Sequence, residues 1–310
     1  MRLLDELFPS GMQNRFYCLE EKWDEIEEIR LRVNRPVFVK AKNKEYFVSR
    51  SGLLKTDAQD VVKMDEKDMD RIVHHICHAS PYAYEEEIKR GYITVKGGHR
   101  VGLSGQAVLV ENDVINTLKN ISFINIRIAH QIKGAGKDLL RYIYENGKVQ
   151  NTLIISPPGY GKTTLLRDLI RSISDGNCYA KGMNCSVIDE RSELAGCYNG
   201  IPQLEVGIRT DVMDSCPKSI GMMMAIRSMA PQVMAVDELG TAEDIKALFA
   251  VIRSGCSILA TIHGESAKDV AGKSFLKEVM DENVFSRYII IKNQNRETQI
   301  LDGKLEKCLK

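Results

Sequence analysis

Residues 152–170 place a glycine-rich turn between a strand and a helix, and this arrangement constrains the possible fold more than any other stretch of the chain. The apolar run Leu153–Ile155 predicts a buried strand, and a turn rich in glycine and proline follows it. After Lys162 and Thr163, apolar residues recur at helical spacing as far as Ile170. A strand, a glycine loop, a Lys-Thr pair and a helix together predict a site for a nucleoside triphosphate. The reason is that inward-facing backbone N–H groups and the positive end of the helix bind phosphate oxygens.

The predicted phosphate loop also supplies ligands for ATP and for its magnesium ion. We expect Lys162 to reach the β- and γ-phosphates and the Thr163 hydroxyl to hold Mg²⁺. The usual pattern begins with glycine, whereas this loop begins with Ser156, but Gly159 and Gly161 remain to permit the tight turn. The predicted nucleotide-binding residues are Ser156, Pro157, Pro158, Gly159, Tyr160, Gly161, Lys162, Thr163 and Thr164.

An acidic pair further along the chain predicts the second half of the phosphate machinery. The apolar run Val233–Val236 predicts a buried strand, and Asp237 and Glu238 follow it directly. We expect Asp237 to hold Mg²⁺ through water, opposite Thr163. We expect Glu238 to orient or deprotonate the attacking water. An apolar run that ends in Asp-Glu is a weak signal alone, but it becomes a strong one downstream of a phosphate loop.

Two more predicted strands end in residues that suit the same site. The strand Cys185–Ile188 leads into Asp189 and Glu190, and the strand Ser257–Ile262 leads into His263. Because the carboxyl ends of parallel strands meet at one edge of a sheet, these side chains are expected on the ligand side. Glu190 is therefore a second candidate for the catalytic carboxylate. His263 is a candidate sensor of the γ-phosphate, with a purely structural role as the alternative.

The length and the order of the predicted elements divide the chain into two domains. At 310 residues, the chain has room for two domains of ordinary size. Residues 1–131 combine alternating strands with short helices and predict a smaller α+β domain. Residues 132–148 predict a hinge and a linking helix. Residues 149–310 alternate strands with helices, which predicts an α/β domain.

Several element boundaries are specific enough to be compared with a structure. We expect the linking helix to run from about Lys137 to Asn146 and a later helix to run from about Ala267 to Met280. The stretch before Asp214 has no regular periodicity and predicts loops.

One histidine pair raises the alternative of a metal site in the first domain. His74 and His78 are four residues apart on a predicted helix, so both could contact one ion. Since no third ligand has motif spacing, we interpret them as surface or packing residues.

The bulk composition disfavours a nucleic-acid partner and a membrane-spanning segment. The net charge is +1 and aromatic residues make up 6% of the chain. Both values argue against a nucleic-acid motor or loader, which needs a basic groove with stacking aromatics. No stretch approaches about 18 consecutive apolar residues, and the N-terminus does not look like a signal peptide, so we expect a cytoplasmic protein. The eight cysteines occur singly, which predicts reduced thiols.

Together these motifs resemble the RecA-type domain of the type II and type IV secretion ATPases, a branch of the AAA and P-loop NTPases. Those enzymes carry a phosphate loop, an acidic box, a second acidic strand end and a histidine box. The corresponding segments here are Ser156–Thr163, Asp189–Glu193, Val233–Glu238 and Ala260–His263. The resemblance implies a RecA-like ATPase domain behind the smaller N-terminal domain. Secretion ATPases usually have Gly-Glu where this chain has Asp237 and Glu238, which leaves open whether Glu238 or Glu190 is the main catalytic carboxylate.

Over nearly its whole length, the chain is more specifically similar to the stage III sporulation protein AA family of spore-forming Firmicutes. The resemblance implies a cytoplasmic ATPase of the mother cell, held at the membrane by integral-membrane proteins of a channel that connects mother cell and forespore. Several of the shared blocks are unusual sequences, so the resemblance is specific. They are Glu28–Arg32, Gly97–Gly102, Asn125–Ile128, Val187–Glu193, Arg209–Val212, Cys216–Lys218 and Ile226–Met229.

Analogy with the secretion ATPases implies a hexamer with ATP at the subunit interfaces. It also implies arginines of the N-terminal domain that approach the γ-phosphate. Arg100 and Arg127 lie in blocks that suggest this role, and Arg209 is another candidate, with ordinary surface charge as the alternative. A nucleotide-gated scaffold that scarcely hydrolyses ATP is a further alternative, made weaker by the intact Asp237 and Glu238.

Overall fold

The computed structural model describes residues 3–42, 44–110, 114–293 and 296–308. Contacts within the chain divide it into two compact units, Met1–His130 and Gln131–Lys310. No helix in these described ranges is both long enough and apolar enough to cross a membrane.

The first unit is built on a seven-stranded antiparallel sheet with the strand order β4-β3-β2-β1-β7-β6-β5. In β1, Ile29 and Leu31 are buried in the core, whereas the alternating Arg30 and Arg32 are half-buried. Strand β7 pairs with β1, and β6 pairs with the other side of β7. The strands are β1 (Ile26–Arg32), β2 (Phe38–Ala41), β3 (Lys44–Val48), β4 (Leu54–Lys55), β5 (Tyr92–Val95), β6 (His99–Val110) and β7 (Val114–Arg127).

Short helices complete the core of the first unit. The helices are α1 (Leu3–Leu7), α2 (Glu66–Ile76) and α3 (Glu85–Arg90), with 3-10 turns at Gln13–Arg15, Tyr17–Glu25 and Pro81–Tyr84. The Asp65 carboxylate accepts a hydrogen bond from the Asp68 N–H at 2.7 Å and so begins α2. One face of α2 buries Met69, Ile72 and Ile76 in the same core as the β1 side chains.

The second unit contains a seven-stranded sheet that is parallel except at one edge. Its order is β12-β11-β13-β14-β10-β15-β16, and only β16 runs antiparallel to its neighbour. The strands are β10 (Thr152–Ser156), β11 (Cys185–Asp189), β12 (Thr210–Asp214), β13 (Val233–Val236), β14 (Ser257–His263), β15 (Arg287–Ile291) and β16 (Thr298–Asp302). The helices are α4 (Leu140–Ile143), α5 (Lys162–Asp175), α6 (Lys218–Ser228), α7 (Ala242–Arg253), α8 (Ala267–Ala271) and α9 (Lys277–Asp281).

Helices cover both faces of this parallel sheet, which explains why its central strands are apolar throughout. Alternate residues of β10 enter two different cores: Leu153 and Ile155 pack in one, and Ile154 packs in the other with α5. The α6 and α7 helices cover the first of these faces. The α7 helix begins with a capping box, in which Thr241 and Asp244 bond each other's backbone N–H groups.

The order of the parallel strands determines where the site residues meet. Strand β14 lies between β10 and β13, with Ile155 opposite Ile262 and Val236 opposite Ala260. Strand β11 follows on the far side of β13. Since these strands are parallel, the residues that follow their carboxyl ends lie along one edge of the sheet.

Four elements of the second unit differ from the expectations drawn from sequence. The linking helix ends at Ile143 rather than Asn146, because the chain then turns into a hairpin of β8 (Tyr144–Glu145) and β9 (Lys148–Val149). Asn146 and Gly147 both have positive φ, which suits a tight hairpin turn. The predicted helix from Ala267 to Met280 is divided into α8 and α9 by a 3-10 turn at Ser274–Leu276. Strand β12 lies where loops were expected, and β16 was not predicted.

The segment predicted as a hinge is hydrogen-bonded to α5. The Asp168 carboxylate, 2% exposed, accepts N–H groups of Gly134 at 3.0 Å and Gly136 at 2.8 Å. Burial alone would raise the pKa of Asp168, but these N–H groups and the Arg171 guanidinium lower it below the ordinary value. Gly136 has no room for a side chain, since an added Cβ would lie 2.5 Å from Leu169.

Candidate nucleotide-binding site

The phosphate loop has the backbone conformation that its sequence predicts. Strand β10 ends at Ser156, and α5 begins at Lys162. Gly159 and Gly161 have φ values of 80° and 92°, which glycine adopts without strain. Gly161 is the N-cap of α5 and no side chain caps the helix, so its first N–H groups are free to bind an anion.

Serine fits at the first position of the loop, where glycine is usual. Ser156 is fully buried, and its hydroxyl donates to the carbonyl oxygen of the next residue, Pro157, at 2.9 Å. The added side chain is therefore accommodated inside the turn. Pro158 and Gly159 are exposed at its tip, and Tyr160 is half-buried against the core that contains Leu165.

Lys162 is held in place by a histidine from β14. Its ammonium nitrogen lies 3.0 Å from Nδ1 of His263, while the lysine as a whole is only 7% exposed. Burial lowers the pKa of Lys162, and the charges of Asp237, Glu238 and Glu193 oppose this effect. The lysine is thus a buried cation within the fields of three carboxylates.

Asp237 is fixed between two threonine hydroxyl groups. The Thr163 hydroxyl donates to one carboxylate oxygen at 2.8 Å, and the Thr261 hydroxyl donates to the other. Thr261 also accepts the backbone N–H of Glu238 at 2.7 Å. These contacts join α5, β13 and β14, and they place a hydroxyl and a carboxylate side by side. Oxygen ligands of this type are the ones that Mg²⁺ prefers, so Thr163 and Asp237 suit a magnesium site.

Glu238 lies next to the same histidine. One carboxylate oxygen is 3.2 Å from Nε2 of His263, and the other accepts a hydrogen bond from Arg191 at 2.9 Å. Glu238 has a φ of 57°, a conformation that is uncommon outside glycine and turns the chain sharply after β13. His263 therefore connects the lysine of the phosphate loop to this carboxylate.

Glu190 has a different partner from Glu238. Its carboxylate pairs with Lys218, the first residue of α6, whose side chain is 13% exposed. Of the two carboxylates that the sequence offers as catalytic candidates, only Glu238 contacts His263.

The acidic loop that follows β11 is held by Asp189 at the end of that strand and by Arg167 of α5. The Asp189 carboxylate accepts the N–H groups of Glu193 and Ala195, each at 2.8 Å. The buried Arg167 of α5 donates to the carbonyl oxygens of Glu193 at 2.6 Å and Leu194 at 2.5 Å. Burial raises the pKa of Asp189 to about 6, although the N–H groups that it accepts favour its charged form. The phosphate-loop helix thus fixes the loop that carries Glu193.

Each predicted arginine has a contact or a register partner within its own unit. Arg209 donates from its guanidinium to the Ser174 carbonyl at 3.0 Å, at the C-terminal end of α5. The phosphate loop is at the other end of this helix, about 20 Å away at 1.5 Å per residue, so Arg209 does not face the phosphate loop of its own chain. Arg100 and Arg127 are register partners in the first unit, and Arg100 stacks on the Tyr92 ring at 3.5 Å.

Sequence reasoning missed two residues that organise the site. Thr261 lies within the predicted histidine box, and its hydroxyl in an otherwise apolar buried strand was the available signal. Arg167 was missed because an arginine in an amphipathic helix is normally expected on the solvent face, whereas in α5 it is buried. Among the described residues, no cluster of three or more His, Cys, Asp or Glu side chains forms a site for a metal ion.

The family model for sporulation stage III protein AA matches residues 7–307 of the chain. The chain belongs to this family. Stage III sporulation protein AA of Bacillus subtilis (strain 168) is 43% identical over 290 residues, which cover 93% of this chain and 90% of that protein. The resemblance noted from the sequence is therefore confirmed.

Two solved structures share the fold. The X-ray structure of the Legionella pneumophila ATPase DotB has a TM-score of 0.59 at 17% identity, over 92% of this chain and 79% of that chain. The pilus retraction motor PilT has a TM-score of 0.59 at 13% identity, over 88% of this chain and 76% of that one. The α/β ATPase fold expected from the sequence is confirmed by these neighbours at the level of the fold.

Replacing Arg167 with methionine should loosen the acidic loop while leaving the fold intact. Methionine keeps the apolar stem but removes both donors to the loop carbonyls, a loss of about 1–3 kcal/mol for a buried polar contact. Hydrogen–deuterium exchange should show faster exchange of the Glu193 and Ala195 amides. Lys246→Met, an exposed change on α7, is the matched control. Unchanged exchange at both amides in the Arg167 variant would contradict the clamp.

Proposed function

We propose that this chain is a P-loop ATPase that hydrolyses MgATP to ADP and phosphate in the mother-cell cytoplasm. Hydrolysis would power or assemble a secretion-like transenvelope channel during engulfment, at stage III of sporulation. The observation that carries the proposal is the network that links Lys162 and Thr163 to Asp237, Glu238 and His263 at one sheet edge.

The nucleotide is proposed to replace the contact between Lys162 and His263. Phosphate oxygens are stronger acceptors for a lysine ammonium than a neutral imidazole, because charge-assisted hydrogen bonds are about twice as strong as neutral ones. Lys162 would therefore turn to the β- and γ-phosphates when ATP enters. His263, released from the lysine but still beside Glu238, would be placed to sense the γ-phosphate.

The magnesium ion would be held by Thr163 directly and by Asp237 through water. When bound, Mg²⁺ neutralises charge that develops on the phosphate oxygens. Thr261 would keep the Asp237 carboxylate aimed at the ion, because it holds the oxygen that Thr163 does not contact.

Glu238 is the proposed catalytic carboxylate, and Glu190 is proposed to have a structural role. A general base must be able to approach the water whose proton it takes. Glu238 contacts His263 of the Lys162–His263 pair, and its second carboxylate oxygen pairs with the exposed Arg191. Glu190, by contrast, is tied to Lys218.

The family relationship supports the cellular part of the proposal. The Bacillus subtilis relative is named as a stage III sporulation protein. The PilT structure, which shares the fold, contains bound ADP, and this supports a nucleotide ligand at the corresponding loop. We further propose a homo-hexamer that docks peripherally on integral-membrane proteins of the sporulation channel and does not use nucleic acid as a partner. Arg100, Arg127 and Arg209 are the candidates for an arginine that acts on the γ-phosphate of a neighbouring subunit.

Lys162→Ala should abolish ATP turnover, because the variant lacks the cation that contacts the transferred phosphate. Phosphate release by the purified full chain measures the effect, and circular dichroism checks that the fold is unchanged. The exposed Lys246→Ala should retain wild-type turnover. Undiminished hydrolysis by Lys162→Ala would exclude the proposed site, and a wild-type protein that binds ATP without turnover would favour a nucleotide-gated scaffold.

Glu238→Gln and Glu190→Gln separate the two candidate carboxylates. Loss of a general base typically slows a reaction about 10²–10⁴-fold, so Glu238→Gln should lower kcat by this factor while still binding ATP. Glu190→Gln should change kcat much less, since its carboxylate neutralises Lys218. Single-turnover measurement of ATP cleavage distinguishes the two. The opposite ranking would assign the catalytic role to Glu190.

A further inference from the structure

Residues 292–293 and 296–297, between β15 and β16, lie on the phosphate-loop side of the sheet. Strand β15 pairs in parallel with β10, with Ile155 opposite Ile290, so both strands end at the same sheet edge. The turn is closed by a hydrogen bond from the Lys292 N–H to the Glu297 carbonyl at 2.9 Å. The Asn293 side chain supports it by accepting the Glu297 N–H at 3.1 Å. The residue before Glu297 is an arginine.

The Arg296 guanidinium reaches the last glycine of the phosphate loop. A Cβ atom added at Gly161 would lie 3.2 Å from its Nε and 3.6 Å from Nη2. The guanidinium therefore rests against the backbone of Gly161, and the missing side chain at that position is what allows the approach.

The guanidinium also lies beside the positive end of a helix. Gly161 is the N-cap of α5, a helix of 14 residues, and the N-terminus of a helix carries a partial positive charge. In the part of the chain that the structure describes, no carboxylate forms an ion pair with Arg296. Arg296 thus adds a full positive charge beside the partial positive charge of the α5 N-terminus.

The backbone of Arg296 is also in an uncommon conformation. Its φ is 60°, in the left-handed region, which costs free energy for residues other than glycine. An uncommon backbone conformation and a guanidinium without an ion pair among the described residues thus occur at the residue that touches the phosphate loop. An anion in the loop would supply that partner.

We propose that Arg296 is a phosphate ligand that acts within its own subunit. Its N–H groups would donate to the phosphate oxygens of the nucleotide. Lys162 and the first N–H groups of α5 would bind oxygens of the same phosphates. A guanidinium suits this task because its fork of donors matches two oxygens of one phosphate. The inference rests on the proposed function, since it requires a nucleotide in the loop.

Arg296→Ala tests the role, because alanine has the same backbone limits at a φ of 60° and only the guanidinium is lost. Binding of a fluorescent ADP derivative to the full chain should weaken about 10- to 100-fold, as expected for charge-assisted hydrogen bonds. Competition by inorganic pyrophosphate should weaken in parallel, whereas competition by adenosine should not change. Arg296→Lys should recover part of the affinity.

Two further measurements make the result decisive. Lys292→Ala, an exposed charge removed from the same turn, should bind ADP as the wild type does. The melting temperature of nucleotide-free Arg296→Ala should equal or exceed that of the wild type, which a merely structural role would not give. Equal ADP affinity of the wild type and Arg296→Ala, or a matching loss for adenosine, would overturn the inference alone. A wild type that binds neither ADP nor pyrophosphate would overturn the proposed function as well.

Discussion

The carboxylate of Asp237, held between the hydroxyl groups of Thr163 and Thr261, is the contact on which the rest of the site depends. It connects the first turn of the phosphate-loop helix with the ends of two neighbouring strands. Asp237 is half-buried, and a carboxylate that is partly removed from water is stabilised by hydrogen bonds. The two hydroxyl groups provide these hydrogen bonds and at the same time fix the direction of the carboxylate oxygens.

Charged side chains connect the phosphate loop to the rest of the site. Lys162, His263 and Glu238 form a chain of contacts from the phosphate loop to the proposed catalytic carboxylate. The field of the Asp237 and Glu238 carboxylates partly offsets the burial that lowers the pKa of Lys162. A bound phosphate would compete with His263 for Lys162. Phosphate binding would therefore affect Glu238 as well, because His263 contacts both residues. Arg167 fixes the acidic loop to the same helix, and Asp189 fixes it to the end of β11.

Local sequence predicted the parts of the site that belong to one continuous segment. The phosphate loop, the Asp237–Glu238 strand end and the histidine at the end of β14 all follow from apolar runs that end in polar residues, a pattern that parallel strands impose. The edge strand β12 was missed because its alternation is weak: Thr210 to Asp214 contains two aspartates and is not fully buried at any position. Arg167 and Arg296 were missed for a different reason. Their contacts join segments far apart in the chain, and no local pattern marks an arginine that will be buried or will lie over a glycine.

The central claim is that the hydroxyl of Thr163 and the carboxylate of Asp237 make hydrolysis depend on magnesium. Phosphate release by the purified full chain, titrated with Mg²⁺ at fixed ATP, tests it most directly when wild type and Asp237→Asn are compared. The account predicts no release without the ion, saturation in the wild type, and a requirement for more Mg²⁺ in the variant, since the amide keeps the size of the side chain but loses its charge. Release that is independent of Mg²⁺, or identical magnesium curves for the two proteins, would contradict it.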